Sequence, residues 1–253
     1  GAIKMWIGNN TEIQKLKEEE KRKEDFLKMV SHELKTPVTS VKGYVQLLLS
    51  LLNKDAGADP SILLKSSLLR IDHQINRLTR LIAEILDISR IEESKLSLQK
   101  SYFSINKLVK DTVQDIHFTN TQHNISISNV VRGTVYADKD RIGQVLINFI
   151  TNAIKYSPES RNIEIHVLEV EENTVGVSVR DKGIGIEEKY HKNIFKRFYR
   201  VGGVNEETYS GFGIGLYLAN EIIQRHEGSI EVKSGKGLGS DFCFKLSAIS
   251  IEN

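Results

Sequence analysis

Two successive apolar seams, separated by a stretch that breaks helices, decide what the first part of this chain can become. From residue 27 onward, Leu27, Val30, Leu34, Val41, Val45, Leu48 and Leu52 recur at heptad-like spacing, the pattern of a long helix packed along one seam. The run Asn53-Lys54-Asp55-Ala56-Gly57-Ala58-Asp59-Pro60 is dense in turn residues and closes on a proline, so that helix should stop near Asn53. A second seam follows. Leu64, Leu68, Ile71, Ile75, Leu78, Ile82 and Ile85 alternate by four and three, and Leu81 and Ile88 widen the apolar face, which predicts a second amphipathic helix. Two helices joined by a short loop form an antiparallel hairpin, and a hairpin alone cannot bury two wide apolar faces. Dimerisation into a four-helix bundle is the simplest remedy.

Within the first seam lies Ser31-His32-Glu33-Leu34-Lys35-Thr36-Pro37. At about 100° per residue, His32 falls opposite the centre of the apolar stripe, with Thr36 one turn above it on the same outward face. His32 is therefore expected to face water. Exposed helical histidines are usually plain solvated residues, but the neighbours here are unusual. Imidazole is a competent nucleophile when an adjacent base removes its proton and fixes its tautomer, and Glu33 is placed for that task. Pro37 removes a backbone donor and should bend or loosen the helix just beyond the site. His73 lies off the second seam with no following carboxylate or proline, and reads as a surface residue.

Ahead of the seam, Thr11 to Asp25 is almost wholly charged, with Ile13 and Leu16 as its apolar anchors and Glu20 and Lys23 where the seam should continue. It is either a solvated helical linker or a marginal two-stranded coiled coil able to change register. Gly1-Ala2 reads as a cloning scar, and Ile3-Lys4-Met5-Trp6-Ile7-Gly8 as the end of a strand.

With 35 Lys plus Arg against 33 Asp plus Glu, net charge gives nucleic-acid binding no support. Val45 to Leu52, the nearest approach to an uninterrupted apolar run, is short and contains Gln46 and Ser50, so no membrane contact is expected of this piece, while the full-length protein could be membrane-anchored or soluble. The single cysteine, Cys243, excludes an internal disulfide and fits a reducing, cytoplasmic compartment. It should be a small buried residue on a strand rather than a reactive thiol.

After Lys100 the period changes. Strand-like runs at Ser101 to Ile105, Asn124 to Val131, Ile163 to Glu171, Thr174 to Arg180, Ser229 to Ser234 and Ser240 to Leu246 mix with helical patterns at Asn106 to Thr119, Lys139 to Tyr156 and Gly215 to His226. The strands cluster in pairs instead of alternating with helices, which predicts an α/β sandwich: a mixed or antiparallel sheet with helices on one face. The 253 residues then divide into an N-terminal remnant at 1–12, a linker and dimerising hairpin at 13–100, and a ligand-binding α/β domain at 101–253.

The second helix of that half carries Asn148, Asn152, Lys155 and Tyr156 on one broad face, with Leu146, Phe149, Ile150 and Ala153 on the adjoining one. Asparagine is a poor mid-helix residue, so a pair of them calls for a reason. An amide oxygen suits a hard cation such as Mg²⁺, an ammonium suits phosphate, and a tyrosine ring can stack on a base. Three glycine clusters follow: Asp181-Lys182-Gly183-Ile184-Gly185-Ile186 at a strand end, Gly211-Phe212-Gly213-Ile214-Gly215-Leu216 opening a helix, and Gly235-Lys236-Gly237-Leu238-Gly239. Repeated glycines let the backbone approach a ligand closely, and the second cluster sits where a helix N-terminus would face phosphate. The first glycine pair lacks the spacing and βαβ context of a dinucleotide fingerprint.

Together these stretches resemble the kinase core of two-component sensor histidine kinases of the HisKA type, over essentially the whole chain. Residues 31–37 are similar to that family's phosphoacceptor box, Asn148 to Tyr156 to its asparagine box, Ile194-Phe195-Lys196-Arg197-Phe198-Tyr199-Arg200 to its phenylalanine box, and the glycine clusters to its nucleotide boxes. Met5 to Ile13 resembles the exit of a PAS sensory domain. The resemblance implies a dimeric four-helix bundle followed by an ATP-binding domain of the GHKL type. It further implies that His32 attacks the γ-phosphate of ATP, with Glu33 orienting the imidazole and accepting its proton, and that phosphate then passes to an aspartate on a response-regulator receiver domain. Asn152 would hold Mg²⁺ with Asn148 beside it, Lys155 and Arg200 would contact phosphates, Tyr156 would pack on adenine, and Asp181 would receive the adenine amino group. Gly183, Gly185, Ile186, Gly211, Gly213, Gly215, Leu216 and Ser240 would complete the nucleotide site. Thr36 matches the position from which the family orients water to dephosphorylate its regulator.

One departure is Phe212, where the family commonly has a small hydroxyl residue that can touch phosphate; the glycine N–H groups remain, so nucleotide binding should survive, with an altered, mobile lid over Val201 to Ser210. Two other functions stay open: an ATPase sharing the nucleotide fold with type II topoisomerases, heat-shock chaperones and mismatch-repair proteins, and a dimeric scaffold whose ATP site has decayed.

Overall fold

The computed structural model describes residues 2–52, 61–92, 96–119, 123–128, 134–171, 173–201 and 213–249. They fall into two units, Gly1–Ser89 and Arg90–Asn253.

The first unit is built from two helices, α1 (Ala2–Leu52) and α2 (Ser61–Glu92). Tyr44 on α1 meets Arg70 on α2, and Glu33, nearer the N-terminus of α1, meets Arg77, nearer the C-terminus of α2. The helices are therefore antiparallel, as the turn-rich break between their seams requires. Phe26, Leu81 and Ile88 are buried, together with Ser67 and Asp87. The expected α2 seam divides: Leu81 and Ile88 go inside, whereas Leu64, Leu68, Ile75 and Ile82 stay exposed, as do Leu27 and Val45 of α1. A single hairpin leaves one apolar face of each helix unsatisfied.

One expectation is corrected in α1. Ile3 to Gly8, read as the end of a strand, is helical, and α1 is continuous from Ala2. A lone strand has no ladder partner for its N–H and C=O groups, whereas a helix satisfies them within itself. Pro37 lies inside α1, which runs through it to Leu52, next to the predicted stop at Asn53, with the pyrrolidine ring buried. The cost is one lost bond to the Glu33 carbonyl.

The second unit holds a seven-stranded sheet in the order β1-β3-β7-β5-β4-β2, with β6 paired to β7. The strands are β1 (Ser101–Ser104), β2 (Asn124–Ser128), β3 (Thr134–Ala137), β4 (Asn162–Glu171), β5 (Thr174–Asp181), β6 (Ser229–Gly235) and β7 (Gly239–Ile249). Among the described residues only the β2–β4 pairing is parallel, so the sheet is mixed, as the paired strands predicted. Strand β3 had no counterpart among the expected strands.

Register explains the single core. In-register Ile165, Val179 and Phe242, and next to them Val167, Val177 and Phe244, present one buried apolar face. Helices α3 (Ile105–Thr119), α4 (Lys139–Tyr156) and α5 (Gly215–Arg225) cover it. Phe149 of α4 anchors the layer, its ring centroid 5.5 Å from Phe242 and 6.1 Å from Phe244. The alternate residues, Glu164, Arg180, Asp241 and Lys233, occupy the other face in one row of opposite charges. Cys243 lies on that outer face, half-buried, where burial pushes its thiol up to about 11; it is unionised at neutral pH, as expected of an unreactive cysteine.

The far end of α4 is secured by Asp138. Its Oδ1 accepts from the Arg141 N–H at 3.1 Å and its Oδ2 from the Gln99 N–H at 2.8 Å, while its own N–H donates to Nε2 of His226 at 2.9 Å. Because Nε2 accepts, the proton of a neutral imidazole sits on Nδ1, which donates to the Ile222 carbonyl at 2.7 Å. Burial, the largest influence, holds His226 below its ordinary value of 6.5. The unfolded chain therefore takes up this proton at higher pH than the folded one, and stability is lost as pH falls below 6.5 toward the folded value. Thermal melts between about pH 7 and pH 5 should show the wild type losing more stability than His226→Gln. Parallel pH slopes would show that His226 does not carry the effect.

Candidate functional site

In the first unit, His32 and Thr36 are exposed on α1, as the helical phase predicted. The Thr36 hydroxyl donates to the His32 carbonyl at 3.0 Å, which fixes its rotamer while its lone pairs remain on the exposed side. Glu33 occupies the adjacent face. Its Oε2 accepts from Nη2 of Arg77 at 2.7 Å, so in this structure the carboxylate serves α2 and not the imidazole.

In the second unit the expected nucleotide residues converge on the C-terminal half of α4. The Asn152 amide donates from Nδ2 to Oδ1 of Asn148 at 3.1 Å. That bond leaves the Asn152 amide oxygen as the atom suited to a hard cation. Among the described residues no group of three or more His, Cys, Asp or Glu could hold a metal, so an ion at Asn152 would need its remaining ligands from phosphate and water, the habit of Mg²⁺.

The glycines are where they are because other chain segments fill the space a side chain would take. A Cβ on Gly215, the first residue of α5, would overlap the Asn148 amide, so this glycine lets α5 lie against the asparagine pair. Leu216 follows it, half-buried. Gly213 has φ +65° and rests on Tyr199 and Arg200, which carries Arg200 to the start of the same helix. Lys155 places its ammonium 4.7 Å from the Tyr156 ring centroid, a cation–π contact. Burial raises the Tyr156 phenol above its ordinary value, with the Arg200 charge opposing. Lys155, Tyr156 and Arg200 are thus brought together; Gly211, with Phe212 and the expected lid beyond Val201, lies outside the described residues.

Asp181 ends β5 and is buried. Its Oδ1 accepts from the Gly183 N–H at 2.7 Å, and the Ser240 backbone also bonds to it. Burial, outweighing these bonds, raises its carboxyl above the ordinary value. The Gly183–Ile186 loop is pinned to α4 by Ile184 N–H donating to the Tyr156 carbonyl at 3.1 Å, and to the β6–β7 turn by Gly237 N–H donating to the Ile184 carbonyl at 2.7 Å.

One hub escaped the sequence reading. The Ser234 hydroxyl accepts from the Ile186 N–H at 2.8 Å, donates to the Gly239 carbonyl at 2.8 Å and lies 3.0 Å from the Ser240 hydroxyl. A serine directly before the third glycine cluster was the available signal. His191, whose Nε2 lies 3.1 Å from the Ile186 carbonyl, supports the same loop and had no signal of its own.

Comparison with known proteins matches this division. Residues 22–94 match the family model of the His Kinase A (phospho-acceptor) domain, and residues 137–249 that of the histidine kinase-, DNA gyrase B- and HSP90-like ATPase. The sensor histidine kinase WalK of Bacillus subtilis (strain 168) is 31% identical over 239 residues, which is 93% of this chain and 38% of that protein. The sensor protein kinase WalK of Staphylococcus aureus (strain MRSA252) is 29% identical over 256 residues, covering 100% of this chain and 41% of its own length. The chain thus spans about two fifths of these relatives. Among solved structures, the Acinetobacter baumannii histidine kinase AdeS aligns at TM-score 0.60 and 28% identity over 85% of this chain and 97% of that one. Full-length ShkA aligns at TM-score 0.62 and 21% identity, over 91% of this chain and 47% of that one, and shows likeness of fold. The chain thus carries, in this order, a segment matching a phospho-acceptor domain and a segment matching an ATPase domain, and is similar along its length to sensor histidine kinases.

Proposed function

We propose that this chain phosphorylates itself on His32 from Mg²⁺–ATP, as a homodimer, and passes the phosphate to an aspartate of a response-regulator receiver domain. The observation that carries this reading is that His32 stands exposed, next to Glu33, on the helix of a segment matching a phospho-acceptor domain. A lone pair of one imidazole nitrogen forms the N–P bond while the bond from the γ-phosphorus to its bridging oxygen breaks and ADP leaves with the electron pair. The proton on the other ring nitrogen passes to Glu33. Phosphoryl transfer of this kind asks the protein for in-line positioning and charge neutralisation more than for covalent chemistry.

The second unit offers those groups. Asn152 presents an amide oxygen for Mg²⁺, which supplies charge neutralisation at the phosphates. Lys155 and Arg200 offer cations, the N-terminus of α5 offers N–H groups, Asp181 offers an acceptor for an amino group, and Tyr156 offers a ring face. The exposed apolar residues Leu64, Leu68, Ile75 and Ile82 of α2 favour the dimer, because pooling two hairpins would cover them. The test is incubation with γ-labelled ATP and Mg²⁺, which should give an acid-labile, base-stable phosphoprotein with the label mapped to His32.

Thr36 supports a second activity, removal of phosphate from the regulator, because its hydroxyl is oriented by the His32 carbonyl one turn below. Thr36→Ala protein added to phosphorylated regulator should slow its decay about tenfold or more. An unchanged decay rate would remove the phosphatase from the proposal.

A further inference from the structure

The carboxylate beside His32 is held by the other helix of the hairpin. Glu33 Oε2 sits 2.7 Å from Arg77 Nη2, with the Glu33 side chain only 15% exposed and Arg77 30% exposed. Successive side chains on a helix diverge by about 100°. The imidazole thus faces solvent while the acid turns toward α2. A charge-assisted bond of this kind, partly withdrawn from water, is short, directional and little screened by salt. While it stands, that oxygen is engaged and the carboxylate stays on the hairpin side of α1.

We propose that Arg77 is a positioning residue that latches Glu33 inside the hairpin and must release it before His32 can be phosphorylated. The proposal rests on His32 being the phosphate acceptor and Glu33 its proton acceptor. The two partners belong to different helices, so a small shift or rotation of α1 against α2 breaks the pair without touching the nucleotide site. Pro37 lies four residues beyond Glu33 and removes the N–H that would bond the Glu33 carbonyl. The backbone at Glu33 is consequently tied less firmly than a regular helical turn, which eases the swing toward His32.

Initial rates of acid-labile labelling, measured across a range of γ-labelled Mg²⁺–ATP, distinguish this role from plain structural support. Arg77→Gln should raise kcat by about threefold or more, the population of unlatched Glu33 having grown, with KM for ATP unchanged. Arg77→Lys, which restores a cation, should fall back toward the wild type. Arg70→Gln is the control: it removes another cross-helix contact, to the Tyr44 hydroxyl at 3.1 Å, without touching Glu33, and should give no rise in kcat. If circular dichroism shows Arg77→Gln unfolded, Arg77→Met replaces it. An Arg77 variant that is folded but no faster than wild type overturns the latch, and so does an equal rise in Arg70→Gln. A wild type that takes no label on His32 overturns the underlying reading, and the latch with it; labelled wild type beside an unaccelerated Arg77 variant overturns the latch alone.

Discussion

His32→Gln protein incubated with Mg²⁺ and γ-labelled ATP should take up no acid-labile phosphate while still binding nucleotide. Gln keeps the exposed helical position and removes only the imidazole, so complete loss is expected from a residue that itself forms the bond to phosphorus. Asn152→Ala should lose labelling from the opposite side. The acceptor stays intact, but the amide oxygen suited to Mg²⁺ and the bond to Asn148 at 3.1 Å both go, and a loss on the order of 10²–10³-fold is expected from removing one such electrostatic group. Both variants should keep wild-type helical content and association state. Mixing the two then asks a question that neither answers alone: label on the intact His32 partner in a mixed dimer means transfer between subunits, and its absence means transfer within one. Undiminished labelling of His32→Gln would end the assignment. Loss of the dimer in Asn152→Ala would mean that α4 has a structural role outside the nucleotide site.

The sequence exposed most of this arrangement because its elements are long and strongly patterned. Helices α3, α4 and α5 follow the expected patterns to within a residue of their ends, α2 runs a few residues beyond its seam at each end, and strands β4, β5 and β7 show clear alternation. What stayed hidden was short or depended on partners. Strand β3 has four residues, with Val135 and Ala137 buried and Tyr136 exposed, too few turns of a period to stand out. Ile3 to Gly8 has the composition of a strand, yet it joins the helix that follows. The Glu33–Arg77 pair could not be read at all, since it depends on the register of α1 against α2, which no local pattern specifies. The reverse holds for Asn148 and Asn152: one helical turn apart, they had to meet, and their poor mid-helix propensity marked them as candidates for a site.

Among the described glycines of the nucleotide loops, Gly185 is where an added Cβ would meet the closest obstacle, and the reason its replacement should be costly separates two physical effects. Its φ of +64° disfavours any L side chain, at roughly 1–2 kcal/mol. In addition, a Cβ there would overlap the Gly235 carbonyl oxygen and approach the Gly239 carbonyl to 3.1 Å. Both belong to the β6–β7 turn, which cannot withdraw without breaking the bond from Ile186 to Ser234. Gly185→Ala should therefore destabilise the ATP-binding unit by about 3 kcal/mol or more, a fall in melting temperature on the order of 10 °C for a unit of this size, and abolish nucleotide binding with it. Gly237 supplies the comparison. Its φ is +76°, but a Cβ would meet nothing within 4 Å, so Gly237→Ala carries the backbone cost alone and should lose only about 1–2 kcal/mol with nucleotide binding retained. If calorimetry finds the two variants equally destabilised, the close approach of the two turns contributes nothing. The glycine clusters would then serve backbone conformation only, and the apposition of Gly185 to Gly235 would not be what shapes the nucleotide loop.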